Sequence, residues 1–562
     1  MTYRRCTAAL ALFLAYQMLL GGYARARTKP VPEAAEGNTG MASAAHPLAT
    51  KAGVEILSAG GNAFDAAVAV AATLNVVEPM MSGMGGYGTI LVYSADKSRA
   101  RFLNCSGRIP KALDSDVFRP PAPDYNDNRR GAKAVSTPGN LNAWATLSKE
   151  YGTLEWDKLF EHAIRAAEQG FPIGERTARL IDSAYSSFPE HAKLIYGRNG
   201  KPLQAGEVLV QKDLAASFRQ VVEKGAVVVH GGAIGEAIAQ TMENAGGFLS
   251  LDDLKENRAE WWEPIEIDYR GHRVLTASPP ATAFPSLVRL GIMSRLETRG
   301  LGHNTAAYLH TFAEVTKHAF WTRLRYAGDP EVQPPPLDQL LSEAYWKEQV
   351  AQIDPDKARP FEPPRNLPTS DSHTTHFVVA DRWGNVVTAT QTLGNSFGSR
   401  IMPEGTGIWL NNSLAYCTFE PKGNPMDAFP GRHKLSGDCP TLIFREGKLW
   451  AALGTPGGHT IGQTVPQMVM NLIDFDMNIQ QAIAAPRVSF QEPDFLAVEE
   501  AIPSEIIEQL GAKGHKIRSV KGLGNAHGLT IEYDENGKPV RFLGGADPRG
   551  EGVAQGLEKT GN

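Results

Sequence analysis

The stretch "NLPTSDSHTTHFVVADRWGNVVTATQT", residues 366–392, changes character half-way along. Its first part is polar, carries Pro368 and has no period. From Thr375 it becomes the β-branched, apolar run "THFVVA", then a turn at Trp383-Gly384-Asn385, then a second run "NVVTATQT". Two strands joined by a tight turn are the expected structure. The preceding segment, Ile353 to His373, holds five prolines and reads as an exposed loop or linker. Thr374 and Thr375 therefore stand where a floppy segment becomes a buried strand.

A threonine hydroxyl is a weak nucleophile and needs a base beside it. Cutting the bond before Thr374 would create an α-amine on the same residue, with an ordinary pKa of about 7.7–8.0, near working pH. Cutting needs an accessible segment before the nucleophile, and catalysis needs a rigid mount after it. Both are present here. Spacing alone equally allows a polar strand start after a loop, so the choice waits on other residues.

The whole chain narrows the function class. It has 562 residues, 42% of them hydrophobic, with 56 basic and 61 acidic side chains and a net charge of -5. That balance offers no broad positive field for nucleic acid or anionic lipid and points to a small-molecule partner. Arg4-Arg5 precede the apolar run Ala8 to Leu20, and "ARA" follows at Ala24 to Ala26. This pattern predicts a cleaved secretory leader over residues 1–26 and a secreted or periplasmic protein. The run is too short for a membrane anchor, and its surroundings fit a twin-arginine signal poorly. Residues 27–41, rich in Pro, Gly and Glu, read as a linker. Beyond the leader, Cys105, Cys417 and Cys439 fit either one disulfide with a spare thiol or three buried thiols.

Helical spacing runs from Ala49 to Leu57 and stops at Gly60-Gly61. Asn62 then caps the almost wholly apolar "AFDAAVAVAATLNVV", which must be core. Helical patterns continue over Ser136 to Ala167, Leu209 to Ala245 and Thr305 to Arg325, with a strand "HRVLTAS" from His272. Strand patterns dominate the rest, in "TLIFREGKLWAALG" and "LTIEYDENGKPVRFLGG". The chain reads as a mixed α and β protein, helical first and strand-rich last, without an internal repeat.

Three motifs mislead. Gly83, Gly85 and Gly88 fit a dinucleotide fingerprint letter for letter, but a helix enters the loop and a strand leaves it, the reverse of what phosphate binding needs. Close backbone packing is the expected role. His310, Glu314 and His318 share a helix face but lack a metal signature, and are expected to be surface and interface residues. "GTPGGH", Gly454 to His459, lacks the lysine of a phosphate loop, yet its exposed N–H groups suit an oxyanion.

Ordered blocks settle the choice at Thr374. "TTHFVVADRWGNVV", "TLGNSFG", "GIWLNN", "PTLIF", "LGTPGGH", "AIAAPRV" and "GGADPRG" closely resemble the small subunit of the γ-glutamyltransferase family. Upstream, "GGNAFDAAVAVAATLNVVEPMMSGMGGYG", "STPGN", "FLSLDDLKENRAEWWEPIEIDYRG" and "RYAGDP" resemble its large subunit, in the family's order. The resemblance spans roughly Ala42 to Gly550. It implies an N-terminal nucleophile hydrolase with an αββα four-layer sandwich, class α/β (α+β). One precursor would cut itself between His373 and Thr374 into a large subunit, 42–373, and a small catalytic subunit, 374–562, which stay associated as a heterodimer. Thr374 matches the family's nucleophile, Thr392 the threonine that orients it, and Gly457 and Gly458 the pair forming the oxyanion hole. Neither a cofactor nor a metal is implied, and no stable membrane anchor.

The same resemblance fails at the substrate end. Where the family carries "NNEMDDF", with two acids for the substrate α-ammonium, this chain has "NNSLAYCTF", placing Ser413 and Tyr416 there. Gly394 replaces an asparagine, with Asn395 one further on; the Ser-Ser pair is Ser436-Gly437; and the carboxylate-binding arginine position holds Ser106, with Arg108 displaced by two. "PPATAF" from Pro279 replaces the family's "PPSSGG". Arg108, Asn395, Ser413, Tyr416 and Ser436 are the candidate substrate contacts. An unpaired buried ammonium forfeits charge-assisted bonds of about 1.5–3 kcal/mol each. Two substrate readings stay open: a γ-glutamyl amide, or an acyl amide without the α-amine, as in cephalosporin-acylase-like and oxamate-amidohydrolase-like relatives. A remote third is an uncleaved, non-enzymatic binding protein.

Overall fold

The computed structural model describes residues 31–119, 127–362, 373–491 and 494–558. The compact unit Glu33–Asn562 holds every element discussed below. The expected leader, and the end of the proline-rich segment before His373, lie outside the described residues.

Two seven-stranded antiparallel sheets form the centre. The first runs in the order Val553–Leu557, Gly40–Ala44, His373–Asp381, Val386–Gly394, Tyr87–Ser94, Arg99–Cys105, Glu260–Trp262. The second runs Ala35–Gly37, Pro539–Ala546, His527–Tyr533, Lys448–Gly454, Thr441–Arg445, His272–Thr276, Ile265–Tyr269. Strand alternation sends Leu91, Val378 and Val386 inward to meet Leu442, Ala452 and Leu529 of the second sheet. The outward residues Ala42, Ile90, Val379 and Val387 join a core with the helices Pro47–Ser58 and Ala63–Val77. On the far side Ile443, Ala451 and Leu453 pack under Phe284–Met293, Ala306–Tyr326 and Ile461–Ile473. Helices, sheet, sheet and helices make an αββα sandwich.

The helix Ala63–Val77 starts on Asn62, whose side chain accepts from Phe64 and Asp65 N–H while Asp65 reaches back to Asn62, and all its residues are buried. Its end feeds the glycine loop. A Cβ on Gly85 would meet Trp409 O at 2.1 Å, and one on Gly86 would meet Thr392 O at 2.4 Å. Close backbone approach explains these glycines.

Three expectations need correction, and one open choice is decided. The supposed linker 27–41 already contains the strand Ala35–Gly37 and enters Gly40–Ala44. Its small residues read as loop because they are small, but crowding selects them: a Cβ on Gly37 would lie 2.7 Å from Gly556 Cα. The division into a helical first part and a strand-rich last part also fails, because each sheet interleaves strands from both. Long-range pairing, invisible to local pattern, put Arg99–Cys105 and Glu260–Trp262 into the first sheet. Thirdly, the helix residues His310 and Glu314 are buried, and their nearest third ligand type is His515, not His318. His310 bonds His515 and the Asp354 carbonyl, each at 2.8 Å, while Glu314 bonds Lys317 and Arg359 N–H. Finally, all three cysteines are buried free thiols, which excludes the disulfide alternative.

Candidate active site

Thr374 and Thr392 face each other across the first sheet, at an irregularity between His373 and Thr374 that turns the strand end. The Thr374 hydroxyl donates to Thr392 Oγ1 at 3.2 Å, and the Thr392 hydroxyl donates to the His373 carbonyl at 2.7 Å. Gly394 N–H also donates to Thr392 Oγ1, at 2.7 Å. Both threonines are almost fully buried. A continuous chain of hydrogen bonds thus links the Thr374 hydroxyl to the carbonyl of the peptide bond immediately before it.

The mount is rigid on both faces. Thr375 points the other way and donates to Glu78 Oε2 at 2.7 Å, at the end of helix Ala63–Val77. Burial pushes the Glu78 carboxyl up, against the pull of Arg176 and the Thr375 hydroxyl. Two residues on, His376 lies between the sheets, with Nδ1 2.8 Å from Thr390 Oγ1 and Nε2 3.2 Å from Thr388 Oγ1. Burial holds its pKa well below the ordinary value, so the imidazole is neutral packing. A Cβ on Gly454 would meet that ring at 2.3 Å.

Gly454 ends its strand, and the chain continues through Thr455 and Pro456 to Gly457 and Gly458, with φ of 137° and 56°. The 137° angle at Gly457 is one that a side chain would strain, and the pair opens the loop ahead of helix Ile461–Ile473. Because Gly454 of the second sheet seats against His376 of the first, this loop issues from the strand that faces the Thr374 strand across the sandwich.

The expected substrate contacts divide. Tyr416 is buried, edge-on to His459 with centroids 5.4 Å apart. Ser436 lies beside the first sheet, its hydroxyl accepting from Asp438 N–H at 3.1 Å. Asn395 is held through its backbone, N–H to Asn412 Oδ1 at 2.8 Å; the same oxygen would lie 2.1 Å from a Cβ on Gly394, whose φ is 99°. That crowding explains Gly394. Ser413 is bonded through its hydroxyl to Ser136 and through its N–H to Asn411. Arg108 donates to Glu260 at 2.7 Å and to the Gly431 carbonyl at 3.2 Å. It belongs to a charge network with His433, Asp329 and Glu331.

Residues 49–557 match the family model described as gamma-glutamyltranspeptidase. The chain belongs to that family. It is 33% identical to the glutathione hydrolase proenzyme of Escherichia coli (strain K12), over 91% of this chain and 90% of that protein. With the acylase ACY 1 proenzyme of Pseudomonas sp. (strain SE83) it shares 34% identity over 91% and 95%. A cephalosporin acylase structure from Bacillus halodurans superposes with a TM-score of 0.86 at 30% identity, covering 95% of this chain and 99% of that one. This gamma-glutamyltranspeptidase-family member is therefore an N-terminal nucleophile hydrolase fold of the hydrolase and acyltransferase class.

Sequence reasoning missed two buried charges at this end of the fold. Lys434 and Asp438 bracket Ser436-Gly437, and both are almost wholly inaccessible. The sequence shows their nearness to a recognised site block but not their burial. The larger cavities among the described residues lie elsewhere. One of about 700 Å³ lies along helix Ala306–Tyr326, lined by residues such as Trp321, Tyr345 and Phe361, and none of the candidate site residues lines it.

Proposed function

We propose that the protein is a self-processing amide hydrolase or acyltransferase that acts through Thr374 as an N-terminal nucleophile. The observation that carries this is the hydrogen-bond chain from the Thr374 hydroxyl through Thr392 to the His373 carbonyl. As Thr374 Oγ attacks that carbonyl carbon, Thr392 passes a proton toward the carbonyl oxygen. The C–N bond then breaks as that proton passes to the leaving nitrogen and the carbonyl re-forms, leaving an ester on Oγ and a free α-amine on Thr374, and water hydrolyses the ester. Processing yields subunits 42–373 and 374–562, which stay together because strands His373–Asp381 and Val386–Gly394 of the small subunit are hydrogen-bonded to Gly40–Ala44 and Tyr87–Ser94 of the large one. The E. coli and Pseudomonas relatives are both named as proenzymes, which supports this step.

In the mature enzyme the α-amine takes the Oγ proton while Oγ attacks the substrate amide. Gly457 and Gly458 N–H groups hold the oxyanion, an effect typically worth about 3–4 kcal/mol of barrier. The amine leaves with the proton, and water or an amine acceptor releases the acyl group. By family, the acyl group is γ-glutamyl or related. A second reading, an acyl amide without an α-amine, is favoured by Ser413 and Tyr416, which supply no carboxylate for an ammonium, and by Arg108, which is engaged with Glu260. The leader pattern supports a secreted or periplasmic location; among the described residues no helix is long and apolar enough to cross a membrane.

The test is a denaturing gel of purified protein with N-terminal sequencing of the smaller band. Two bands are expected, the smaller beginning at Thr374, and Thr374→Ala gives one band and no amide turnover. A single wild-type band supports the non-enzymatic alternative, and processing that persists in Thr374→Ala overturns the assignment.

A further inference from the structure

Lys434 is fully buried, its Nζ has no hydrogen-bond acceptor, and the amine rests 3.0 Å from the centroid of Tyr87 and 5.4 Å from that of Tyr416. A buried amino group lacking an acceptor needs an explanation, because such groups are otherwise paired. Its place in the fold supplies one. Tyr87 pairs with Thr392, and Thr392 with Thr374, so the amine stands over the same sheet face as the nucleophile, about two strand spacings or ~10 Å away. On that face Thr89 donates to Asp438 at 3.2 Å. The loop between Lys434 and Asp438 also touches the proposed oxyanion loop: a Cβ on Gly437 would lie 3.1 Å from the Tyr416 ring and 3.4 Å from Gly458 O.

We propose that Lys434 is the receptor for a carboxylate carried on the substrate's acyl chain, an ω-carboxyacyl amide without an α-ammonium. The inference rests on the reading of Thr374 as nucleophile. With the acyl carbonyl at Thr374 and the Gly457-Gly458 loop, the far end of the chain reaches the Tyr87–Tyr416 wall, where Lys434 supplies the charge. Burial alone drives the Lys434 amine toward its neutral form, and Asp438 opposes this. An arriving carboxylate provides the hydrogen-bond acceptor that the amine lacks and adds to the charge of Asp438. An α-ammonium would place a second cation beside it, and the acids that hold one elsewhere in the family are absent.

The experiment compares glutaryl-, pentanoyl- and γ-glutamyl-p-nitroanilide on wild type, Lys434→Met and Asp438→Asn. Wild type is expected to prefer glutaryl. Lys434→Met raises KM for glutaryl by at least about tenfold, the loss of one charge-assisted bond, and leaves pentanoyl within about twofold. Equal changes for both, or a wild-type preference for γ-glutamyl, overturns the proposal. Where Lys434→Met stays uncut, Asp438→Asn decides: a fall in the glutaryl-to-pentanoyl ratio supports the receptor and an unchanged ratio defeats it. A wild type that is uncut or turns over none of the three defeats the Thr374 reading instead, whereas a processed, active enzyme with an unaltered ratio defeats only this inference.

Discussion

Thr374 and Tyr87 lie two strands apart on one face of one sheet, and their neighbourhoods are built on opposite principles. Around Thr374 the hydroxyls form a linked chain: Thr374 to Thr392, Thr392 to His373, and Gly394 N–H into the middle. Around Tyr87 a lysine is buried with no acceptor, and Asp438 is pushed by burial to about 6 against Ser436, Lys434 and Thr89. A satisfied network fixes geometry; a network missing a partner is shaped for one that arrives. On the proposed reading, chemistry and recognition make separate demands on neighbouring strands.

The sharpest break in that comparison comes at the glycines. Gly457→Ala puts a side chain at φ 137° and a Cβ 2.4 Å from Thr460 Oγ1, so the loop must shift. We expect kcat to fall by about 10²–10³-fold, the usual cost of a displaced oxyanion donor, with KM for the acyl amide little changed. Steady-state kinetics on the processed enzyme measures this. A change confined to KM would move Gly457 to the recognition side.

Thr392→Val comes next. It keeps volume and branching but removes the hydroxyl that links Thr374 to the His373 carbonyl. Loss of an orienting hydrogen bond predicts about a 10–100-fold fall in kcat and slower appearance of the small-subunit band in a pulse of fresh precursor. Normal processing with slow turnover would separate the two uses of this residue.

These contrasts bear on what the sequence revealed. The pairing of Thr374 with Thr392 was legible because two alternating strands joined by a tight turn fix it locally; the relation of Gly457 and Gly458 to them was read from the family blocks alone. The strand on the other side of His373–Asp381 was not legible. Gly40–Ala44 is made of residues too small to read as strand, and its pairing with Phe377–Asp381 spans more than 300 positions. Lys434 was missed because nothing in "HKLSGDC" says that its amine turns inward onto Tyr87, a residue from another sheet strand. Arg108 was placed near a substrate carboxylate, but its partner Glu260 comes from a strand whose existence only tertiary pairing decides.

The smallest effect concerns that last network and touches stability rather than turnover. His433 sits beside Lys434, its Nδ1 3.2 Å from Asp329 and its Nε2 3.3 Å from Glu260, with Glu331 and Arg108 also facing it. Burial works against the imidazolium, but hydrogen bonds to Asp329 and Glu260 raise its pKa to about 9 from an ordinary 6.5. Because the folded value is the higher one, the stabilisation is complete below pH 6.5 and lost as pH rises through about 9. Its ceiling is about 3 kcal/mol. Urea midpoints between pH 6 and 10 are expected to fall across that window in the wild type and to be flatter in His433→Gln. Glutaryl and pentanoyl turnover by the folded variant should keep their wild-type ratio, since these charges bind one another. A His433→Gln enzyme with an altered ratio would place this network inside the recognition site with Lys434, and would erase the boundary between a scaffold of paired charges and a receptor that lacks its partner.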